Sequence, residues 1–224
     1  DWTTIQGIFL MHHGLFTFND NAQGSYEAMI ALVSRVEDYL ADKAVLDNQA
    51  KAVFQPADLD LLTLASTRKQ VSALAGRAML ACLDCSDFSA GYASLDNVES
   101  IASRGPITPD HTIHTKCIPA LLSDDPLENI NSYAASYQSY FERHAKGDLT
   151  CLDPAPRLAV WKGKGVISYG QNVKRLQVIS DISAHTIKAI QWGEALGGWQ
   201  ALPEKDLFEV EYWELEQIKL KTKK

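Results

Sequence analysis

The sequence has no long apolar run. Nothing in it approaches the ~20 consecutive residues that cross a bilayer, so no membrane-spanning helix and no membrane partner are expected. Cysteine is scarce, with Cys82, Cys85, Cys117 and Cys151 the four in 224 residues. A disulfide scaffold needs a denser set, and a reducing cytoplasm is the expected compartment. Positive charge is in deficit: 21 Lys and Arg face 28 Asp and Glu, a net charge of −7. Such a surface repels phosphate backbones, which argues against nucleic acid and anionic membranes as partners. The basic residues gathered at the end, Lys219, Lys221, Lys223 and Lys224, read as a solvated tail. The basic-then-apolar pattern of a signal peptide is missing too. So is an initiating methionine. The chain starts at Asp1 and soon enters an apolar run, which reads as a piece cut from something longer.

What is present is an ordinary globular composition, 46% hydrophobic and 22% charged, with enough chain to bury one or two cores. Ile5 to Met11 fits a buried strand that ends at His12-His13-Gly14, followed by a short link. From Ala22 to about Ala44 the spacing is helical, with Tyr26, Ile30, Val33 and Val36 on one stripe and Asn19, Asp20 or Asn21 as the cap. A second helix is expected from Pro56 to Gly76. Ala78 to Cys85 reads as a buried strand, Leu95 to Ser103 as a short helix, and Pro126 to Ala145 as a helix with Tyr133, Tyr137 and Tyr140 along one face. Arg157 to Trp161 is expected as a strand, and Val173 to about Leu196 as a long helix stopped by Gly197-Gly198. Strands alternating with helices argue a layered α/β fold.

One unit occurs twice. Gly7–Ala22 and Leu158–Val173 align without gaps at an offset of 151, with Gly14 over Gly165 and Asn21 over Asn172. The sharpest difference is chemical: His13 in the first copy faces Lys164 in the second. A protonated lysine cannot ligate a metal. A metal ligand in the first copy would therefore have no counterpart in the second.

Few residues point to chemistry. Imidazole suits zinc, but His13 alone does not make a site, because a catalytic zinc needs about three protein ligands. His111 and His114 lie between prolines that argue against a helix, and they read as loop histidines bonded to backbone or water. Cys82-Leu83-Asp84-Cys85 lacks the second pair of a zinc ribbon and ends an apolar strand, so buried structural cysteines are expected. Gly163 to Gly170 matches no phosphate-loop pattern, and its glycines answer to turns. The tyrosine face reads as core or interface. No catalytic residue and no nucleotide-cofactor residue is assigned.

His13-Gly14-Leu15-Phe16-Thr17-Phe18, with the strand before it and the long helix after it, resembles the class II aldolase/adducin family. It is similar to the segment that carries the third zinc-binding histidine there. Four later stretches extend the resemblance: Arg104–Lys116, Leu152–Arg157, Glu194–Glu204 and Glu209–Leu220. They are similar to the middle of bifunctional polypeptides that join a class II aldolase to a short-chain dehydrogenase, described as rhamnulose-1-phosphate aldolase/alcohol dehydrogenases. The resemblance implies a lyase of carbohydrate metabolism whose zinc has His13 as one ligand. It also implies a sugar-phosphate substrate, and NAD(P) in a dehydrogenase part beyond this chain. Asn19 stands where that family usually has glycine.

These readings divide the chain into residues 1–104, the C-terminal part of a class II aldolase-like domain, and residues 105–224, a connecting domain. The second part is expected to be a degenerate aldolase-like repeat with a structural or homo-oligomerisation role. The segment alone is expected to be inactive. The alternatives are a non-catalytic, adducin-like interaction module and, last in order, a small-ligand site of the chain's own around His111, His114 and Lys116.

Overall fold

The computed structural model describes residues 4–11 and 13–220. His12 and the tail lysines 221, 223 and 224 lie outside the described residues. The chain opens with strands β1 (Gly7–Leu10) and β2 (Gly14–Thr17), which pair antiparallel as a hairpin, followed by helix α1 (Ala22–Asp42). The stretch expected to be a link is therefore the second strand. The first strand is mostly exposed rather than buried, because this hairpin forms a two-stranded sheet of its own. Helix α1 buries none of its residues, and Tyr26, Ile30, Val33 and Val36 are exposed on its surface. Asn21 is its cap, its side chain accepting from the Gly24 N–H.

Helix α2 (Asp58–Ala75) ends at Gly76, which takes the left-handed conformation at φ 64°, the backbone region in which glycine avoids a Cβ clash. Strand β3 (Leu80–Asp84) and helices α3 (Asp87–Ala93) and α4 (Val98–Ala102) follow. A 3-10 turn at Pro109–His111 leads into helix α5 (Thr112–Thr115), strand β4 (Ala120–Leu122) and helix α6 (Pro126–His144). Strands β5 (Leu158–Trp161) and β6 (Gly165–Gly170) form the second hairpin. Helices α7 (Val173–Ala195), α8 (Glu204–Glu211) and α9 (Glu214–Leu220) end the described chain.

The larger sheet has the order β3-β6-β5-β4, antiparallel except for the parallel β4–β5 pair. Its side chains alternate between two cores, as the period of a strand requires. Ala120, Leu122, Ala159, Trp161, Ile167 and Tyr169 face one core, shared with Val71 of α2 and with Ile130, Tyr133, Tyr137 and Tyr140 of α6. Leu158, Val160 and Val166 face the other, shared with Tyr92 and Ile101 and with Ile179, Ile187 and Ile190 of α7. Helices thus cover both faces of the sheet, giving the layered α/β fold the sequence implies. The tyrosine face is core. Strand β3, before residue 104, pairs with β6, so one sheet spans the boundary expected at 104/105.

Strand β3 is an edge strand, and its residues alternate in exposure rather than being buried throughout. Cys82 is consequently exposed, which corrects the expectation of a buried pair; all four cysteines are free thiols. Gly165 to Gly170 is a strand, not a turn. Its glycines still have steric reasons: Gly163 sits at φ 73° in the hairpin turn, and a Cβ on Gly165 would lie 2.2 Å from the Asp84 carbonyl oxygen.

The internal repeat is realised down to its hydrogen bonds. The first hairpin pairs Gly7 with Thr17 and Leu10 with Gly14; the second pairs Leu158 with Ser168 and Trp161 with Gly165. Each partner lies 151 residues on. The His13 N–H donates to the Leu10 carbonyl (3.1 Å), and the Lys164 N–H donates to the Trp161 carbonyl (2.9 Å). Asn21 and Asn172 cap the following helices through the backbone N–H groups of Gly24 and Arg175.

Candidate functional site

The two hairpin turns place His13 and Lys164 equivalently, but in different company. His13 is exposed, and its ring lies 5.2 Å from that of Phe16. Among the described residues no group of three or more His, Cys, Asp or Glu is placed to hold a metal ion. The described residues therefore do not make a zinc centre, and His13 stands in them as a lone imidazole. Lys164 is engaged within the fold. Its ammonium donates to the Asp60 carboxylate and lies 4.2 Å from the centre of the Trp161 ring. Asp60 also accepts from the Ala57 N–H at the start of α2, so Lys164 ties the turn of the second hairpin to that helix.

A second constellation surrounds a cavity of about 260 Å³ between the β3–β6 end of the sheet, α5, α7 and the α8–α9 corner. At its floor is Lys116, only 5% exposed, with φ 66° and ψ 175°. That backbone region is close to glycine-only and costs about 1–3 kcal/mol for a side-chain-bearing residue, so it persists only where the surroundings impose it. Here they do. The Lys116 ammonium donates to the Asp153 carbonyl (3.0 Å), lies 3.8 Å from the Tyr137 ring centre and is 3.6 Å from a carboxylate oxygen of Glu211. Burial lowers its pKa to about 8, against the opposing pull of Glu211 and with Arg157 adding to the shift.

Glu211 is 1% exposed and accepts from the Tyr137 hydroxyl at 2.8 Å. The Tyr137 and Tyr212 hydroxyls are 2.9 Å apart, and the Cys117 thiol lies 3.1 Å from the Tyr140 hydroxyl. Burial first, and the Glu211 charge second, push that thiol up to about 12, so Cys117 is no nucleophile at neutral pH. This network braces Lys116 from the α6 side.

On the cavity wall, Arg157 and Arg77 both donate to one oxygen of Asp153, Oδ2, at 2.7 Å and 3.2 Å. The other oxygen, Oδ1, is buried without a partner among the described residues. Burial by itself would raise the Asp153 carboxyl, but the Arg157 hydrogen bond and charge, with Lys116 and Arg77, hold it below the usual carboxylate range. Arg175, in the first turn of α7, lies 3.2 Å from His114 Nδ1. Burial first, then the Arg175 charge, lower the His114 pKa, so the neutral imidazole accepts from the guanidinium.

The two loop histidines thus lie on helical turns, contrary to expectation. Pro109 begins the 3-10 turn, a position where its missing N–H costs nothing. His114 and Lys116 share the cavity; His111 does not line it, and its Nδ1 is buried without a partner among the described residues. The remaining members, Arg77, Asp153, Arg157, Arg175 and Glu211, lie outside the predicted set. The sequence signals for Glu211 are its place in the Glu209–Leu220 stretch and helical spacing, which puts it between Phe208 and Tyr212 on the inward side of α8.

Comparison with known proteins places the chain in a family. Residues 59–220 match the family model described as aldolase class II, second domain. The chain is also 24% identical over 241 residues to the uncharacterized oxidoreductase YuxG of Bacillus subtilis (strain 168), an alignment covering 95% of this chain and 33% of that protein. It therefore spans about a third of that relative's length. No solved structure matches the chain at a significant level. Among the described residues no helix is long and apolar enough to cross a membrane.

Proposed function

The chain belongs to the family described as aldolase class II, second domain, and from that membership we propose that it is the central part of a longer, cytoplasmic bifunctional enzyme. One activity is a zinc-dependent aldolase of the rhamnulose-1-phosphate type; the other is a short-chain dehydrogenase that uses NAD(P). The printed description of YuxG as an oxidoreductase, and its threefold greater length, support the fusion.

One observation carries the division of labour: two hairpin–helix units share one register at an offset of 151, and His13 in the first is replaced by Lys164 in the second. In this reading His13 is one ligand of the aldolase zinc, with the other ligands from outside the described residues. Lys164, held by Asp60 and the Trp161 ring, has no free electron pair to offer. The second unit is then no second lytic centre. It serves the architecture of the enzyme and the assembly of a homo-oligomer.

Zinc content and ketose 1-phosphate cleavage test the reading. The complete polypeptide should retain stoichiometric zinc and cleave the substrate, His13→Ala should lose both, and residues 1–224 alone should do neither. Cleavage at full rate by residues 1–224, or zinc retention by His13→Ala, would overturn it.

The exposed stripe of α1, with Tyr26 at 67% and Ile30 at 49% exposure, favours a second reading, the adducin-like interaction module. That reading predicts a complete polypeptide that assembles but has no cleavage activity.

A further inference from the structure

The cavity around Lys116 carries a local charge opposite to that of the whole chain. Lys116, Arg77, Arg157 and Arg175 converge on it against the carboxylates of Asp153 and Glu211, in a protein of net charge −7. A concave, partly desolvated site concentrates the field of such a cluster and draws in anions. Glu211 is already committed to the Tyr137 hydroxyl and the Lys116 ammonium. Asp153 uses a single oxygen for both arginines. Arg157 also donates to the Ala155 carbonyl, and Arg77 to the Ala75 carbonyl and to Gln171 Oε1, which still leaves N–H groups over on each guanidinium, since each has five. The wall therefore holds donors in excess, together with one buried acceptor, Asp153 Oδ1, that has no partner among the described residues. The volume, about 260 Å³, lies just below the roughly 300–1,000 Å³ of pockets that take drug-sized molecules.

We propose that this cavity binds a small organic anion, a phosphate ester or a carboxylate, that also bears a free hydroxyl. The anionic group lies against Arg157, Arg175 and Arg77, whose planar forks match phosphate and carboxylate geometry. The hydroxyl donates to Asp153 Oδ1. Lys116 and Glu211 act from beneath as positioning residues: the ammonium donates to the Asp153 carbonyl and fixes the loop that presents the carboxylate. His114 holds Arg175 by accepting from it. The site is separate from the proposed aldolase centre, because His13 does not line the cavity.

Calorimetric titration of the full chain with glycerol 3-phosphate, glycerate, inorganic phosphate and glycerol tests the assignment. Glycerol 3-phosphate or glycerate should bind, the tighter of the two naming the anion class, and uncharged glycerol should give no heat. Arg175→Gln and Arg77→Gln, both at the partly exposed rim, should each weaken binding about tenfold or more. Arg143→Gln, on another face, should change nothing, and neither should His13→Ala. Unchanged affinity in both rim variants, or no binding of any anion at millimolar concentration, overturns the proposal. Loss of binding in His13→Ala would also overturn it, by moving the ligand to the aldolase centre. Thermal melting of each variant verifies that it is folded.

Discussion

Asn21 and Asn172 make the same bond 151 residues apart, each side-chain oxygen accepting from the backbone N–H three residues on, at 2.8 Å and 2.9 Å. The helices they cap differ in what they bury: α1 buries nothing, whereas α7 buries Ile179, Ile187 and Ile190. Alanine at either cap should cost its helix about 1 kcal/mol. For Asn172→Ala the loss should register as a lower global unfolding midpoint. Asn21→Ala should instead appear in hydrogen exchange as local fraying of α1, with the midpoint unmoved.

The paired glycines make a matching contrast. Gly14 and Gly165 share nearly the same φ, 151° and 149°, but a Cβ on Gly14 meets open space while one on Gly165 meets the Asp84 carbonyl at 2.2 Å. Gly14→Ala should cost about 1 kcal/mol. Gly165→Ala should cost about 4 kcal/mol or more, because β3 would have to move. Denaturant unfolding of the two variants compares them directly.

Removing the Lys116 ammonium leaves the Glu211 carboxylate buried without its cation. Lys116→Met also takes away the donor of the Asp153 carbonyl, so it should destabilise the fold by about 1–3 kcal/mol, and adding Glu211→Gln should recover part of that loss. The pH dependence has a definite sign. The folded pKa, about 8, lies below the ordinary 10.5, so above pH 8 the unfolded chain binds more protons and stability rises with pH. The window closes near pH 9, where the raised thiols of Cys117 and Cys151, joined near pH 10 by the raised hydroxyls of Tyr137 and Tyr140, act in the opposite sense. Urea midpoints between pH 8 and 9 should rise for the wild type, and the rise should be absent in Lys116→Met.

On the acid side the histidines lead. Burial, joined at His114 by the Arg175 charge, lowers the pKa values of His111 and His114 from 6.5. The unfolded chain then binds more protons as pH falls below 6.5, and stability is lost. The carboxylates held low, such as Asp153 and Glu204, add their losses only below about pH 5. Urea midpoints should therefore fall between pH 6.5 and 5, and His114→Gln should reduce that slope.

Much of the layered fold can be read from local pattern. The helices α1, α2, α6 and α7 follow from apolar spacing with Asn21, Gly76, Pro126 and Gly197 as punctuation. The repeat survives as Gly14 over Gly165 and Asn21 over Asn172, because turn geometry and caps constrain those positions more tightly than packing constrains the strands between them. Strand β6 escapes such reading because its glycines and Ser168 suit a turn as well as a strand; pairing on both sides with β3 and β5 settles it.

The sequence by itself determined the helices, the duplicated strand–turn–helix unit and the exchange of His13 for Lys164, since each depends on neighbours close along the chain. Only the tertiary structure decided that β3 is an edge that exposes Cys82. Only it brought Arg77, Lys116, Asp153, Arg157, Arg175 and Glu211 to one cavity. Arg77 and Glu211 stand more than a hundred residues apart with the other four in three segments between them, and the strained backbone of Lys116 is imposed by the groups packed around it. No local propensity encodes either.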